Sequence, residues 1–206
     1  MRVRPAAIVL DRDGVLNELW HDPDLGIVDS PANPGQVRLV DRAADAVRLI
    51  NAAGVPCHVA SNQPGIAKRK MTSSLLAAVT RRLVDELAQR DARLDGISYC
   101  VHHPDALLPA LRVDCPNRKP GPGMLTRIAS RLGVAPADCW FIGDTATDVR
   151  AGAAAGFRTA WVGRVRCDVC PTRQGVVPDL SATDLHEAVT TILEGETDAA
   201  LARQRG

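Results

Sequence analysis

Short uncharged runs alternate along this chain with segments whose apolar residues recur every three or four positions. The first run, Ala6-Ala7-Ile8-Val9-Leu10, is partly β-branched and has no polar face, the pattern of a strand covered on both sides in a parallel sheet. Val40, Ala44, Val47 and Ile50 fall on one helical face and Gly54 supplies a stop, which predicts a helix over 41–53. Residues 55–60 predict a second strand. Leu76, Val79, Leu83 and Leu87 mark a helix opened by Thr72 or Ser73 as its N-cap. Residues 97–100 follow the turn Asp95-Gly96 as a third strand, and Met124, Leu125, Ile128 and Leu132 make a helix closed by Gly133. Strands over 140–142 and 159–162 flank a small-residue helix over 149–155, and Leu185, Val189 and Ile192 mark a last helix. Five strands alternating with helices predict an α/β fold. The sheet is expected to be a doubly wound (Rossmann-like) five-stranded parallel sheet with right-handed crossovers and helices on both faces. One domain over 1–195 is expected, with 196–206 as a flexible tail.

The pattern breaks over 17–37, about twenty residues with Asp22-Pro23-Asp24, Gly26, Pro31 and Pro34-Gly35 and no sustained period. A loop of that length in a compact domain is usually functional, and this one is expected to lie over the carboxyl end of the first strand. His58, inside the second strand, is expected to pack rather than to bind a ligand.

Composition narrows the classes. With 25 Lys and Arg against 24 Asp and Glu in 206 residues, the net charge is +1, so no global field favours nucleic acid or a membrane surface. No apolar run approaches the roughly 18 residues of a membrane span and no signal-peptide pattern precedes the first strand, so a cytoplasmic protein is expected, acting as a monomer. In that compartment the six cysteines are expected to be core residues, metal ligands or free thiols. Cys167-x-x-Cys170 has the spacing of a metal or redox pair, but with no second pair near it a turn with free thiols is expected.

The candidate chemistry collects where the strands end. Asp11 and Asp13 follow the first strand and Gly14 lets the backbone turn, placing two carboxylates where ligands bind in open α/β sheets. Two close acids raise each other's pKa unless a cation or hydrogen bonds hold them. The pair therefore asks for a divalent metal, and allows one carboxylate to be a nucleophile while the other carries a proton. Taken alone, Asp11-Arg12-Asp13-Gly14 also fits a solvated turn. Ser61 at the end of the second strand, Lys119 before the fourth, and Asp144 and Asp148 after it complete a set suited to phosphoryl transfer. Carboxylates would hold Mg²⁺ on a phosphate oxygen, while a hydroxyl and an ammonium hold the others.

These segments, Asp11-Arg12-Asp13-Gly14-Val15-Leu16-Asn17, Ser61-Asn62-Gln63, Arg118-Lys119-Pro120 and Gly143-Asp144 with Asp148, resemble in order and spacing the four motifs of the haloacid dehalogenase superfamily. Ser61-Asn62-Gln63-Pro64-Gly65, Cys100-Val101-His102-His103-Pro104 and Arg118-Lys119-Pro120 are similar to its branch of heptose bisphosphate and histidinol-phosphate phosphatases. The resemblance implies a capless phosphatase of small sugar phosphates, with the 7-phosphate of a heptose 1,7-bisphosphate as the expected target and histidinol phosphate as the alternative. By position it implies Asp11 as the nucleophile and Asp13 as the general acid and base. Asp11, Asp144 and the Asp13 carbonyl would lie around Mg²⁺, with Asp148 behind them. Ser61 and Lys119 would hold the phosphoryl oxygens, and Asn17, Asn62 and Arg118 would meet the substrate. Relatives often carry a Lys directly after the motif-four Asp, where this chain has Thr145.

The branch typically holds a structural Zn²⁺ through Cys-x-His and Cys-x-Cys. Here Cys100, His102 and Cys115 are kept and Asn117 stands at the fourth position. Three outcomes stay open: three ligands plus Asp114, His103 or water; a loop held by packing alone; or a Cys100–Cys115 disulfide. From another class, a receiver-type signalling domain also combines acids, Mg²⁺, a hydroxyl and a Lys. It takes phosphate on a middle strand, whereas this acid pair follows strand one, and its signal Asp needs no second Asp two residues on.

Overall fold

The computed structural model describes residues 4–22, 24, 26–163 and 175–195. The chain begins with β1 (Ala7–Leu10), β2 (Trp20–Asp22), β3 (Ile27–Asp29), α1 (Ala43–Ala52), β4 (Cys57–Asn62), α2 (Ser73–Ala88) and β5 (Gly96–Cys100). It continues through α3 (Gly123–Leu132), β6 (Cys139–Gly143), α4 (Ala146–Ala155), β7 (Arg158–Val162), β8 (Leu180–Ala182) and α5 (Leu185–Glu194). The main sheet runs β5-β4-β1-β6-β7-β8 with every neighbouring pair parallel, and β2 and β3 form a separate antiparallel hairpin.

All four residues of β1 are fully buried, and the reason is their central place in the sheet. Successive side chains leave a strand on opposite faces. Ile8 and Leu10 therefore join one cluster with Val47 and Ile50 of α1, Leu83 of α2 and Val189 and Ile192 of α5. Ala7 and Val9 join another with Met124, Leu125 and Ile128 of α3 and Ala151 of α4. The two clusters leave the carboxyl ends of β1, β4 and β6 side by side, with the loops that follow them free to carry chemistry.

The doubly wound parallel sheet is as expected, but it has six strands rather than five. The sixth, β8, is a three-residue edge strand, Leu180-Ser181-Ala182, too short to stand out from the loop around it. Likewise, 17–37 is not wholly irregular. Its hairpin pairs Trp20 with Asp29, His21 with Val28 and Asp22 with Ile27, and strands of three residues are too short to show a period. Helix α4 begins at Ala146 rather than 149, because Thr145 and Asp148 form a capping box. Thr72 caps α2 through Leu75 N and Gly133 closes α3 in the left-handed conformation, as their spacing implied. His58 is half-buried and lies flat across Gly96 of β5, where an added Cβ would fall 2.5 Å from Nδ1; burial lowers its pKa, and it sits in no ligand cluster. No helix among the described residues is long and apolar enough to cross a membrane. Cys167, Cys170 and 196–206 lie outside the described residues.

Candidate active site

Asp11 leaves the end of β1 into a nearly closed crevice, where Lys119 Nζ stands 2.8 Å from its Oδ1. The same ammonium is 2.5 Å from Asp148 Oδ1. Lys119 is 4 % exposed, so these are ion pairs in a low-dielectric setting. Burial opposes its charge, but Asp11 and Asp148 outweigh burial and raise the ammonium pKa above its ordinary value. The backbone of Lys119 is fixed from β4. Asn62 Nδ2 donates to Lys119 O and Lys119 N donates to Asn62 Oδ1, both at 3.0 Å. Asn62 thus uses its amide as a clasp on Lys119.

On the other side, Asp148 is held by its own helix start. Thr145 N and Oγ1 donate to Asp148 Oδ2 at 3.1 and 2.6 Å, leaving Oδ1 for Lys119. Trp161 Nε1 of β7 donates to Asp144 O at 2.9 Å and steadies that loop. Two glycines permit the approach. A Cβ on Gly14, whose φ is +83°, would fall 2.1 Å from Asp144 Oδ2, and one on Gly143 would fall 2.2 Å from Asp148 Cβ.

Carboxylate oxygens of Asp11, Asp144 and Asp148 all lie within 4.8 Å of one another. With all three acids ionised against Lys119, the formal local charge would be −2. Burial first, then the neighbouring acids, push Asp144 up to about 8, and burial with Asp148 and Asp13 pushes Asp11 up to about 6 against the pull of Lys119. A crevice that strains to keep its acids ionised fits a hard divalent cation held by oxygen. With Asp148 committed to Lys119 and Thr145, Asp11 and Asp144 are the carboxylates left for it.

Asp13 is differently placed. Its carboxylate accepts from Arg12 Nε and NH2 at 3.0 Å each, Asn17 Nδ2 at 2.9 Å, Ser30 Oγ at 2.9 Å and Gln63 Nε2 at 2.6 Å. Arg12 is fully buried, with its guanidinium 5.5 Å from the centre of the Tyr99 ring. Asn17 is 1 % exposed and shares its amide nitrogen between Asp13 and Glu18 O, so it braces Asp13 rather than facing a substrate. Gln63 also donates to Ser61 Oγ at 3.2 Å, linking Ser61 to Asp13. Arg12, Ser30 and Gln63 had no assigned role in the sequence. Arg12 and Gln63 sit inside the motifs, whereas nothing local marks Ser30, which reaches Asp13 only because the hairpin folds back.

Cys100 at the end of β5, His102 and Cys115 bring their ligand atoms within 4.8 Å of one another. Cys100 Sγ is 3.8 Å from His102 Nδ1, and both cysteines are free thiols, which removes the disulfide alternative. Asn117 does not complete the set, since its Oδ1 accepts from Arg127 NH2 of α3 at 2.8 Å. His103 Nδ1 accepts from Asp105 N at 3.0 Å within its own turn.

The fold and this crevice define a doubly wound α/β protein with an acid and lysine site at the strand ends, the usual ligand position of such sheets. A family model described as HAD-hyrolase-like matches residues 116–188. A D-glycero-beta-D-manno-heptose-1,7-bisphosphate 7-phosphatase of Rhodopseudomonas palustris is 39 % identical over 153 residues, 74 % of this chain and 80 % of the relative. The protein of that name in Escherichia coli K12 is 34 % identical over 185 residues, 89 % of this chain and 93 % of the relative. Among solved structures, the D,D-heptose 1,7-bisphosphate phosphatase of B. bronchiseptica, complexed with magnesium and phosphate, aligns with a TM-score of 0.74 and 29 % identity, covering 91 % of this chain and 98 % of that one. The chain belongs to the haloacid dehalogenase superfamily, in its heptose bisphosphate phosphatase branch.

Proposed function

We propose that this chain is a Mg²⁺-dependent phosphatase that removes the 7-phosphate of D-glycero-D-manno-heptose 1,7-bisphosphate in the cytoplasm. The observation that carries the reading is the Asp11–Lys119–Asp148 arrangement beside Asp144 and two residues from Asp13. It combines a nucleophile, a cation for phosphoryl oxygens and an acid–base group at one strand end. The identity to the heptose phosphatases supports the substrate.

Asp11 attacks phosphorus, the P–O bond to the sugar breaks, and the leaving oxygen takes a proton from Asp13. A water then attacks the aspartyl-phosphate, gives its proton to Asp13, and Asp11 is regenerated as phosphate leaves. Ser61 and Lys119 bind the phosphoryl oxygens throughout. Asp11, Asp144 and the Asp13 carbonyl would hold Mg²⁺, which neutralises phosphate charge when bound. Of the groups that donate to Asp13, the Ser30 hydroxyl can accept instead by rotation about one bond, so Ser30 accommodates the proton when Asp13 is an acid. Cys100, His102 and Cys115 are the residues that would hold Zn²⁺, which would tie the end of β5 to the stretch before Arg118.

Phosphate release measured over heptose 1,7-bisphosphate, histidinol phosphate and simple monoesters tests the reading. The heptose bisphosphate is expected to give the highest kcat/KM, and a preference for histidinol phosphate would replace it with the alternative.

A further inference from the structure

Asp13 Oδ2 is gripped by side chains from two loops that are far apart in the chain. Ser30 Oγ, just after β3, donates to it at 2.9 Å, and Gln63 Nε2, just after β4, donates to it at 2.6 Å. Beyond Gln63 the chain turns through 64–71, where Lys68 N donates to Pro64 O at 2.9 Å and Lys70 N to Gly65 O at 2.8 Å. That turn brings Lys70 to Asp29, whose Oδ2 pairs with the ammonium. Asp29 Oδ1 meanwhile accepts from Ser30 N at 2.9 Å. One carboxylate thus joins the two loops, and its other oxygen holds the backbone of the residue that reaches Asp13.

The hairpin depends on such a hold. Strands β2 and β3 have three residues each and lie outside the main sheet, and a two-stranded hairpin is marginal by itself in water. Its base is rooted where Glu18 N donates to Arg38 O at 2.8 Å. Farther out, Trp20 and Val28 are 40 % and 53 % exposed, so these apolar side chains do little to fasten it. Without Lys70, the Asp29 carboxylate is free to change rotamer and Ser30 loses a fixed position.

We propose that Lys70 and Asp29 are positioning residues for the general acid: their ion pair seats Ser30 on Asp13 and keeps the Asp13 carboxyl aimed at the leaving oxygen. The inference rests on the phosphatase reading above. As Asp11 forms its bond to phosphorus and the bond to the leaving oxygen breaks, that oxygen takes the Asp13 proton, and a carboxyl held in one orientation delivers it more often than one that swings. The Lys70 and Asp29 side chains are about half exposed, so the pair acts with the modest strength of a surface ion pair.

Such a role favours substrates whose leaving oxygen needs a proton. The test measures kcat/KM for phenyl phosphate and p-nitrophenyl phosphate with Mg²⁺ in wild type, Lys70→Met, Lys70→Arg, Ser30→Ala and the double variant Ser30→Ala with Lys70→Met. The two esters share an aromatic ring, but the nitro group stabilises the departing phenolate, which leaves with little need of a proton. The ratio of phenyl to p-nitrophenyl phosphate is expected to fall about two- to fivefold in Lys70→Met, the reach of an exposed ion pair. Lys70→Arg is expected to restore it to within about 1.5-fold, since the charge is kept. Ser30→Ala is expected to lower it about tenfold, and adding Lys70→Met to Ser30→Ala to change it no further, because the effect passes through Ser30. An unchanged ratio in Lys70→Met, or an equal loss on both esters, overturns the positioning role. So does a loss that Lys70→Arg fails to restore, or a further fall in the double variant. Absence of Mg²⁺-dependent phosphate release by the wild-type protein from either ester and from heptose 1,7-bisphosphate is the distinct signature of a wrong phosphatase reading, and overturns both.

Discussion

Asp11 and Asp13 stand two residues apart, yet their surroundings differ in kind. Asp11 meets a single ammonium and neighbouring acids, whereas Asp13 is enclosed by five donors. Asp11→Asn is expected to abolish turnover, because an amide does not attack phosphorus. Asp13→Asn is expected to slow kcat by about 10²–10⁴, the usual range for a lost general acid–base. Purified variants assayed for Mg²⁺-dependent phosphate release check both. Arg12 has a stability role, since its fully buried guanidinium is matched to Asp13. Arg12→Met is expected to destabilise the fold by about 3–5 kcal/mol, the cost of leaving one member of a buried pair, read from the urea midpoint. The acids, Ser61 and Lys119 were legible because each sits at a strand end with a charge or hydroxyl that a core does not use. The bracing roles of Asn17, Asn62, Arg12 and Gln63 were not, because a sequence shows which residues lie in a motif but not which way an amide or guanidinium turns.

At the scale of elements, the long alternating segments were readable and the short ones were not. Strands β1, β4 and β6 are continuous apolar runs because they are covered on both faces, while the three-residue β2, β3 and β8 depend on partners distant in the chain. Position 117 shows the same limit. The sequence shows Asn117 where relatives have their fourth ligand, but not that Arg127 of α3 holds its side chain. The stretch from Cys100 to Cys115 leads directly into Arg118 and Lys119, so if the proposed zinc is bound there, stripping it is expected to loosen the crevice as well as the loop. Elemental analysis of protein purified without chelator is expected to find about one zinc per chain, for the one Cys/His cluster among the described residues. Chelation is expected to speed amide exchange across 100–118. Unchanged exchange after chelation would leave the loop held by packing alone.

At the scale of the molecule, the raised pKa values set how stability follows pH. In the folded, metal-free protein Asp144 is pushed up to about 8 and Asp11 to about 6, both above the ordinary aspartate value of 3.8. Between those limits the folded state binds more protons than the unfolded one, so stability falls as pH rises from about 4 to about 8. Mg²⁺ binds the ionised acids and reverses the penalty. It is expected to raise Tm by about 5–10 °C near 100 times its Kd, from the mass-action gain and the size of the chain. At one fixed Mg²⁺ concentration the gain is expected to be larger at pH 8 than at pH 5.5, because ionised acids lower the Kd. Thermal scans with and without Mg²⁺ at the two pH values check the sign, and an equal gain at both would remove the acid cluster as the metal's site.

The most direct measurement of the central claim is ³¹P NMR of heptose 1,7-bisphosphate turned over by the wild-type protein with Mg²⁺, alongside Asp11→Asn. The expected result is loss of the 7-phosphate resonance, growth of inorganic phosphate and retention of the phosphate at carbon 1, with no change in the Asp11→Asn sample. Release of the phosphate at carbon 1, or equal turnover by Asp11→Asn, would contradict the account.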